Sequence, residues 1–127
     1  KFTDAIIKGS QIPVYNYGNM KRDFTYIDDV VNAIFKVTNN NFDKKNYQIY
    51  NIGSGRQISL KKFITILEEA LNIKAKKRLL PMQDGDVKET FSDNKKINAH
   101  FSYKAITKLE QGLGEFVKWY KEFYKVK

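Results

Sequence analysis

The most regular recurrence of apolar positions along the chain runs from Leu60 to Leu71. Leu60, Phe63, Ile64, Leu67 and Leu71 repeat at helical spacing, and Ser59 stands where an N-cap belongs. This predicts an amphipathic helix. A second stripe, Ile27, Val30, Val31 and Ile34, has offsets of three, four and seven and predicts a helix capped by Asp28 or Asp29. Leu109, Leu113, Phe116, Val117, Tyr120 and Tyr124 predict a final helix with those side chains facing inward. Phe2, Ala5 and Ile6 also fit a helix, with no capping residue ahead, so that helix is expected to start before Lys1. A shorter helix is expected near Asn94 to Ala99.

Strand patterns lie between these stripes. Ile12 to Tyr17 follows the turn at Gly9-Ser10, and Asp23 to Ile27 reads as a short extended piece. Tyr47 to Ile52 predicts a strand closed by Gly53-Ser54-Gly55, and Ala75 to Leu80 predicts one ending at Pro81. The polar run Asn39 to Asn46 predicts a surface loop, and Gln83 to Asp86 a turn. Helices alternating with short strands predict α/β or α+β architecture. There is no internal repeat and no linker, so the expectation is one domain or part of a larger one.

Composition narrows the chemistry. The 127 residues contain no cysteine, which excludes disulfides, thiolate metal sites and a thiol nucleophile. No apolar run approaches the ~20 residues that span a bilayer, and the first residues lack a signal peptide's apolar core. A soluble, cytoplasmic protein with no membrane partner is expected. The formal charge of +9 invites a nucleic-acid reading. Against it, only Arg22, Arg56 and Arg78 among the 23 basic residues are arginine, the side chain whose planar fork suits phosphates and base edges. The excess is lysine spread along the whole chain, which reads as solvated surface.

Several local patterns resemble catalytic or cofactor motifs. Gly53-x-Gly55 after a predicted strand looks like the start of a dinucleotide fingerprint, but position 58 is Ile58 and the helix begins only after Ser59. A turn before that helix is the better reading. Tyr17 and Lys21 have the Tyr-x-x-x-Lys spacing that places a phenol and an ammonium on adjacent helical turns, yet Gly18-Asn19 breaks any helix there. His100 is the only histidine and has no cysteine to share a metal with. The adjacent carboxylates Asp28-Asp29 and Glu68-Glu69 read as caps and surface charge. Arg22, between a glycine turn and an aromatic run, either forks onto a phosphate or is a surface arginine. Tyr15 offers a ring to a base or packs in the core, and Asp86 accepts from ribose hydroxyls or serves a turn.

Four stretches taken in order resolve this ambiguity: IPVYNYGNMKRDFTYIDDVVNAI from Ile12, YNIGSGRQISLKKFI from Tyr50, LLPMQDGDVKETFSD from Leu79, and LEQGLGEFVKWYKEFY from Leu109. Together they resemble the carboxy-terminal part of extended short-chain dehydrogenase/reductase proteins of the nucleotide-sugar 4-epimerase type. Bacterial UDP-glucuronate 4-epimerases of capsule and surface-polysaccharide pathways are the nearest resemblance. Asp84 departs from the family's usual proline, and Ser102 and Ala105 from its usual glycine and proline.

The resemblance implies an α/β fold, the substrate-binding portion of an extended Rossmann-type epimerase with short mixed strands and about five helices. It also implies a UDP-sugar ligand. Backbone near Pro13 and Tyr15 would hold the uracil with the Tyr15 ring alongside, Arg22 would bind the diphosphate, and Asp86 would accept from the ribose. Gln83 falls where galactose-type epimerases place a second phosphate-binding arginine. The NAD fingerprint, the catalytic Ser/Thr and the helical Tyr-x-x-x-Lys would lie before Lys1, leaving no catalytic residue here and an inactive isolated chain. The whole protein would be a homodimer. A dehydratase or decarboxylase of the same superfamily, and a small basic nucleic-acid module, are the alternatives.

Overall fold

The computed structural model describes residues 1–40 and 47–126, so most of the predicted 39–46 loop lies outside the described residues. Among the described residues five helices and four short strands alternate, giving the α/β class that the pattern predicts. Helix α1 (Phe2–Ile7) leads through Gly9, at φ 67°, into β1 (Gln11–Val14). The predicted strand to Tyr17 stops early. Tyr15–Gly18 coil into a 3₁₀ turn in which Asn16 and Tyr17 take positive φ, and the Asn16 side chain donates to the Asn19 carbonyl at 2.7 Å. Strand β2 (Lys21–Asp23) and helix α2 (Ile27–Thr38) follow, then β3 (Gln57–Ser59), α3 (Leu60–Leu71), β4 (Lys76–Leu79), α4 (Lys95–Phe101) and α5 (Leu109–Tyr124).

Two small sheets organise these elements. Strand β1 pairs in parallel with β4, Pro13 opposite Arg78, while β2 pairs antiparallel with β3, Arg22 opposite Ile58. The main core gathers Ile6, Ile12 and Val14 against Ile64, Leu67 and Leu71 of α3 and Leu113 and Val117 of α5. Helix α3 therefore buries the stripe its sequence predicts, and Ser59 caps it by accepting the Lys62 amide at 3.2 Å. A second cluster joins Ala33 of α2 to Ile97, Phe101 and Tyr103.

Four expectations fail here. The Tyr47 to Ile52 segment forms no strand, although Tyr50 and Ile52 do turn inward onto the second cluster while Ile49 is exposed. The alternation is present, but among the described residues no strand lies beside it. In α2 the predicted inner stripe points outward: Ile27, Val31 and Ile34 are more than half exposed, and the buried positions are Asp29 and Ala33. Neither Asp28 nor Asp29 caps this helix, whose N-cap is Tyr26. On α5, Leu113 and Val117 are buried with Gly112, whereas Phe116 and Tyr124 face out beside Trp119 and Phe123.

Of the acidic pairs, Asp28 and Glu69 are exposed as surface charge, whereas Asp29 and Glu68 are not. Glu68 is buried, accepting the Ala75 amide at 2.9 Å and pairing with Lys77 at 2.7 Å. Burial pushes its carboxyl up, but the Lys77 and Ala75 hydrogen bonds outweigh this and hold it below the usual glutamate range. It thereby fixes the approach from α3 into β4.

The departure at Ser102 has a conformational consequence. Ser102 ends α4 at φ 50°, in the left-handed region where a side chain costs about 1 kcal/mol that glycine does not incur. Ser102→Gly is therefore expected to raise the unfolding free energy by about 1 kcal/mol in urea titrations, partly offset by the added freedom of the unfolded chain. No gain, or a loss, would show that serine is favoured there by a contact other than backbone geometry.

Candidate functional site

Parallel pairing of β1 and β4 brings their carboxyl ends together. Leu80 donates its amide to Val14, and Tyr17 donates to Leu80, both at 3.0 Å, so the 3₁₀ turn after β1 packs beside the chain leaving β4. That chain makes the predicted turn, closed by the Asp86 amide donating to Gln83 at 3.1 Å with Gly85 at φ 80°. Beyond it, Lys21 and Lys88 are joined at 2.9 Å and Thr90 donates to Lys21 at 3.2 Å, which lays residues 88–90 along β2. These ties set Asp86 against Arg22.

A concavity of about 510 Å³ opens at this junction, lined by Pro13, Tyr15, Arg22, Gln83 and Asp86 together with Lys1, Phe2, Met20 and Leu60. All five candidate site residues thus share one wall, although they span 74 positions of sequence. Pro13 and Gln83 are exposed, and Tyr15 is half-buried in the turn rather than in the strand where the alternation placed it. Its position after the last strand residue carries the ring toward the concavity.

Arg22 is held by backbone. Its Nη1 donates to the carbonyls of Lys21 at 2.9 Å and Lys88 at 3.1 Å, and Nη2 lies 3.4 Å from Asp86 Oδ1. Both Nη1 hydrogens are committed to the fold, so the Nε and Nη2 edge is the part of the fork left for an oxyanion. Such an edge can grip a phosphate in two hydrogen bonds, while Asp86 offers acceptors to hydroxyl groups nearby.

The neighbouring residue does structural work that sequence reasoning missed. Asp23 Oδ1 accepts the Ser54 amide at 2.7 Å, and Oδ2 accepts those of Gly55 and Ser92 at 3.0 Å each. Burial pushes this carboxyl up, but the hydrogen bonds from Ser54, Ser92 and Gly55 prevail and hold it below the usual aspartate range. The turn that carries the would-be dinucleotide fingerprint therefore commits the amides of Ser54 and Gly55 to an internal carboxylate. A side chain at Gly53 would collide with Ser92, so that glycine serves close packing. The described residues thus do not fit a dinucleotide pyrophosphate at this turn. Asp29 repeats the device, accepting the amides of Ile106 and Thr107 at 3.2 Å. Nothing in composition or spacing distinguishes these two carboxylates from caps, because their partners lie 31 to 78 positions away.

The other catalytic look-alikes resolve on geometry. Tyr17 sits in the 3₁₀ turn and Lys21 in β2, its ammonium 3.0 Å from Glu89, so the pair lacks the helix its mechanism requires. His100 shares a 2.8 Å hydrogen bond between Nδ1 and the Tyr50 hydroxyl. No cluster of metal-ligating side chains occurs among the described residues, and no helix is long and apolar enough to cross a membrane.

Comparison with known proteins finds relatives that match nearly the whole chain. Residues 1–53 match the NAD dependent epimerase/dehydratase family. The chain is 47% identical over 122 residues to an uncharacterized protein of Methanocaldococcus jannaschii, covering 96% of this chain and 36% of that one. It is 39% identical over 137 residues to UDP-glucuronate 4-epimerase 5 of Arabidopsis thaliana, covering 97% of this chain and 31% of the relative. Among solved structures, UDP-glucuronic acid 4-epimerase from Bacillus cereus, in complex with UDP-glucuronic acid and NAD, superposes with a TM-score of 0.88 at 25% identity, over 97% of this chain and 39% of that one. The chain spans between about a third and two-fifths of the length of these proteins. Over nearly its whole length the chain is thus similar in sequence to nucleotide-sugar epimerases, and it shares the fold of the corresponding part of a solved one.

Proposed function

We propose that this chain forms the UDP-sugar-binding part of an NAD-dependent UDP-sugar 4-epimerase of the UDP-glucuronate/galacturonate type. The observation that carries the reading is the convergence of Pro13, Tyr15, Arg22, Gln83 and Asp86 on one concavity with the Arg22 fork oriented by two carbonyls. In this reading the Pro13 and Tyr15 backbone receives the uracil, Arg22 the diphosphate and Asp86 the ribose hydroxyls. With Gln83 uncharged, diphosphate recognition leans on Arg22. The names of the relatives support the substrate class, since the Bacillus cereus enzyme is seen with UDP-glucuronic acid and NAD.

The same reading assigns the hydride chemistry and the binding of NAD to residues outside these 127, so the chain alone turns over no sugar nucleotide. The whole protein would be a cytoplasmic homodimer supplying precursors for capsule or surface polysaccharide.

Titration with UDP tests the binding role. Saturable amide chemical-shift changes around Tyr15, Arg22 and Asp86 are expected at millimolar or lower ligand, with little change between low and physiological salt. Salt-sensitive retention on duplex DNA with no response to UDP would instead make the chain a basic nucleic-acid module.

A further inference from the structure

We propose that Asp86 acts as an anion gate on Arg22: it holds the guanidinium against bare phosphates and yields it to ligands that carry hydroxyl donors beside the phosphate. The inference rests on the binding role proposed above and adds a selectivity to it. Its starting point is the ion pair between Arg22 Nη2 and Asp86 Oδ1 at the mouth of the concavity, with side chains 25% and 35% exposed. Charge-assisted N–H···O bonds close to about 2.7–2.9 Å when geometry permits. This one is longer, at 3.4 Å, while the same guanidinium donates through Nη1 to two carbonyls. Asp86 therefore neutralises the arginine through one long contact at Nη2.

That arrangement sorts anions by what accompanies their charge. An isolated pyrophosphate arriving at the Nε and Nη2 edge meets the carboxylate at close range and brings nothing for it to accept. Like charges a few ångströms apart at a partly exposed site repel by enough to weaken binding roughly tenfold. A nucleoside diphosphate brings the same phosphates with a ribose diol, whose hydroxyls donate to Asp86 while the phosphate engages Arg22. Among the described residues, the hydrogen bond to Arg22 is the only one Asp86's carboxylate makes, so it has acceptor capacity free for such a diol.

The test separates charge from hydrogen bonding. Asp86→Asn keeps an acceptor oxygen and removes the charge. Inorganic pyrophosphate and UDP are titrated separately into the wild-type chain, Asp86→Asn and the double variant Arg22→Ala/Asp86→Asn, with circular dichroism confirming that each is folded. The expected result is pyrophosphate binding about tenfold tighter in Asp86→Asn, UDP affinity changed far less, and the pyrophosphate gain abolished in the double variant. Pyrophosphate affinity unchanged or weakened in Asp86→Asn, or a gain that survives loss of Arg22, overturns the gate. A wild-type chain that ignores UDP while Asp86→Asn still gains pyrophosphate overturns the UDP-sugar reading and the yielding half of the gate, leaving only the exclusion of bare phosphates.

Discussion

Asp23→Ala is expected to lower the unfolding free energy by about 3 kcal/mol or more, read from urea titration of the whole chain. The carboxylate accepts three backbone amides from two loops, and each amide stranded without a partner costs about 1–3 kcal/mol, less where water can enter. Asp23→Asn should recover only part of this, because an amide has one acceptor oxygen and would turn an NH₂ group toward donors. The same bond set carries a pH signature. The folded carboxyl lies below its unfolded value, so its contribution is fully present above about pH 4, where the unfolded group is ionised. It is lost as pH falls through the lower folded value. Wild type and Asp23→Ala should therefore converge in stability under acid and diverge at neutral pH. A difference independent of pH would place the effect in packing.

Arg22→Ala should weaken UDP by between about tenfold and a hundredfold, the range expected when one or two charge-assisted hydrogen bonds of roughly 1.5–3 kcal/mol each are removed and partly replaced by water. Arg22→Lys is the more informative variant. A lysine restores the charge, but a single ammonium cannot hold the Lys21 and Lys88 carbonyls and also present a planar edge to a phosphate. It should recover less than half of the lost binding free energy. Full recovery would mean that charge, not the fork, recognises the ligand, and UDP binding unaffected by Arg22→Ala would remove Arg22 from the site.

These two neighbours show how far the linear pattern reaches. Arg22 was legible as a candidate phosphate binder only through its motif, since isolated spacing leaves a surface arginine equally good. Asp23, next to it, gave no sign of its role, because its partners at positions 54, 55 and 92 are far away in sequence and are brought to it by tertiary contacts. The concavity behaves likewise. Pro13 and Asp86 read separately as a strand residue and a turn residue, and parallel pairing of β1 with β4 makes them neighbours.

What the amino-acid order determined by itself was local: the α3 stripe with its Ser59 cap, the turn at Gln83 to Asp86, and the α/β alternation, all set by side chains within a few positions of one another. Helix α2 marks the limit. Its sequence offers two apolar faces, one through Ile27, Val31 and Ile34 and a narrower one through Ala33 and Val37, and periodicity favours the first. The tertiary structure buries the second, because Asp29 on that side accepts the amides of Ile106 and Thr107 while Ala33 and Val37 pack on Ile97, Phe101 and Tyr103. Burial energy alone would favour the wider first face, and the rotation is set instead by a buried carboxylate that needs its two distant amides.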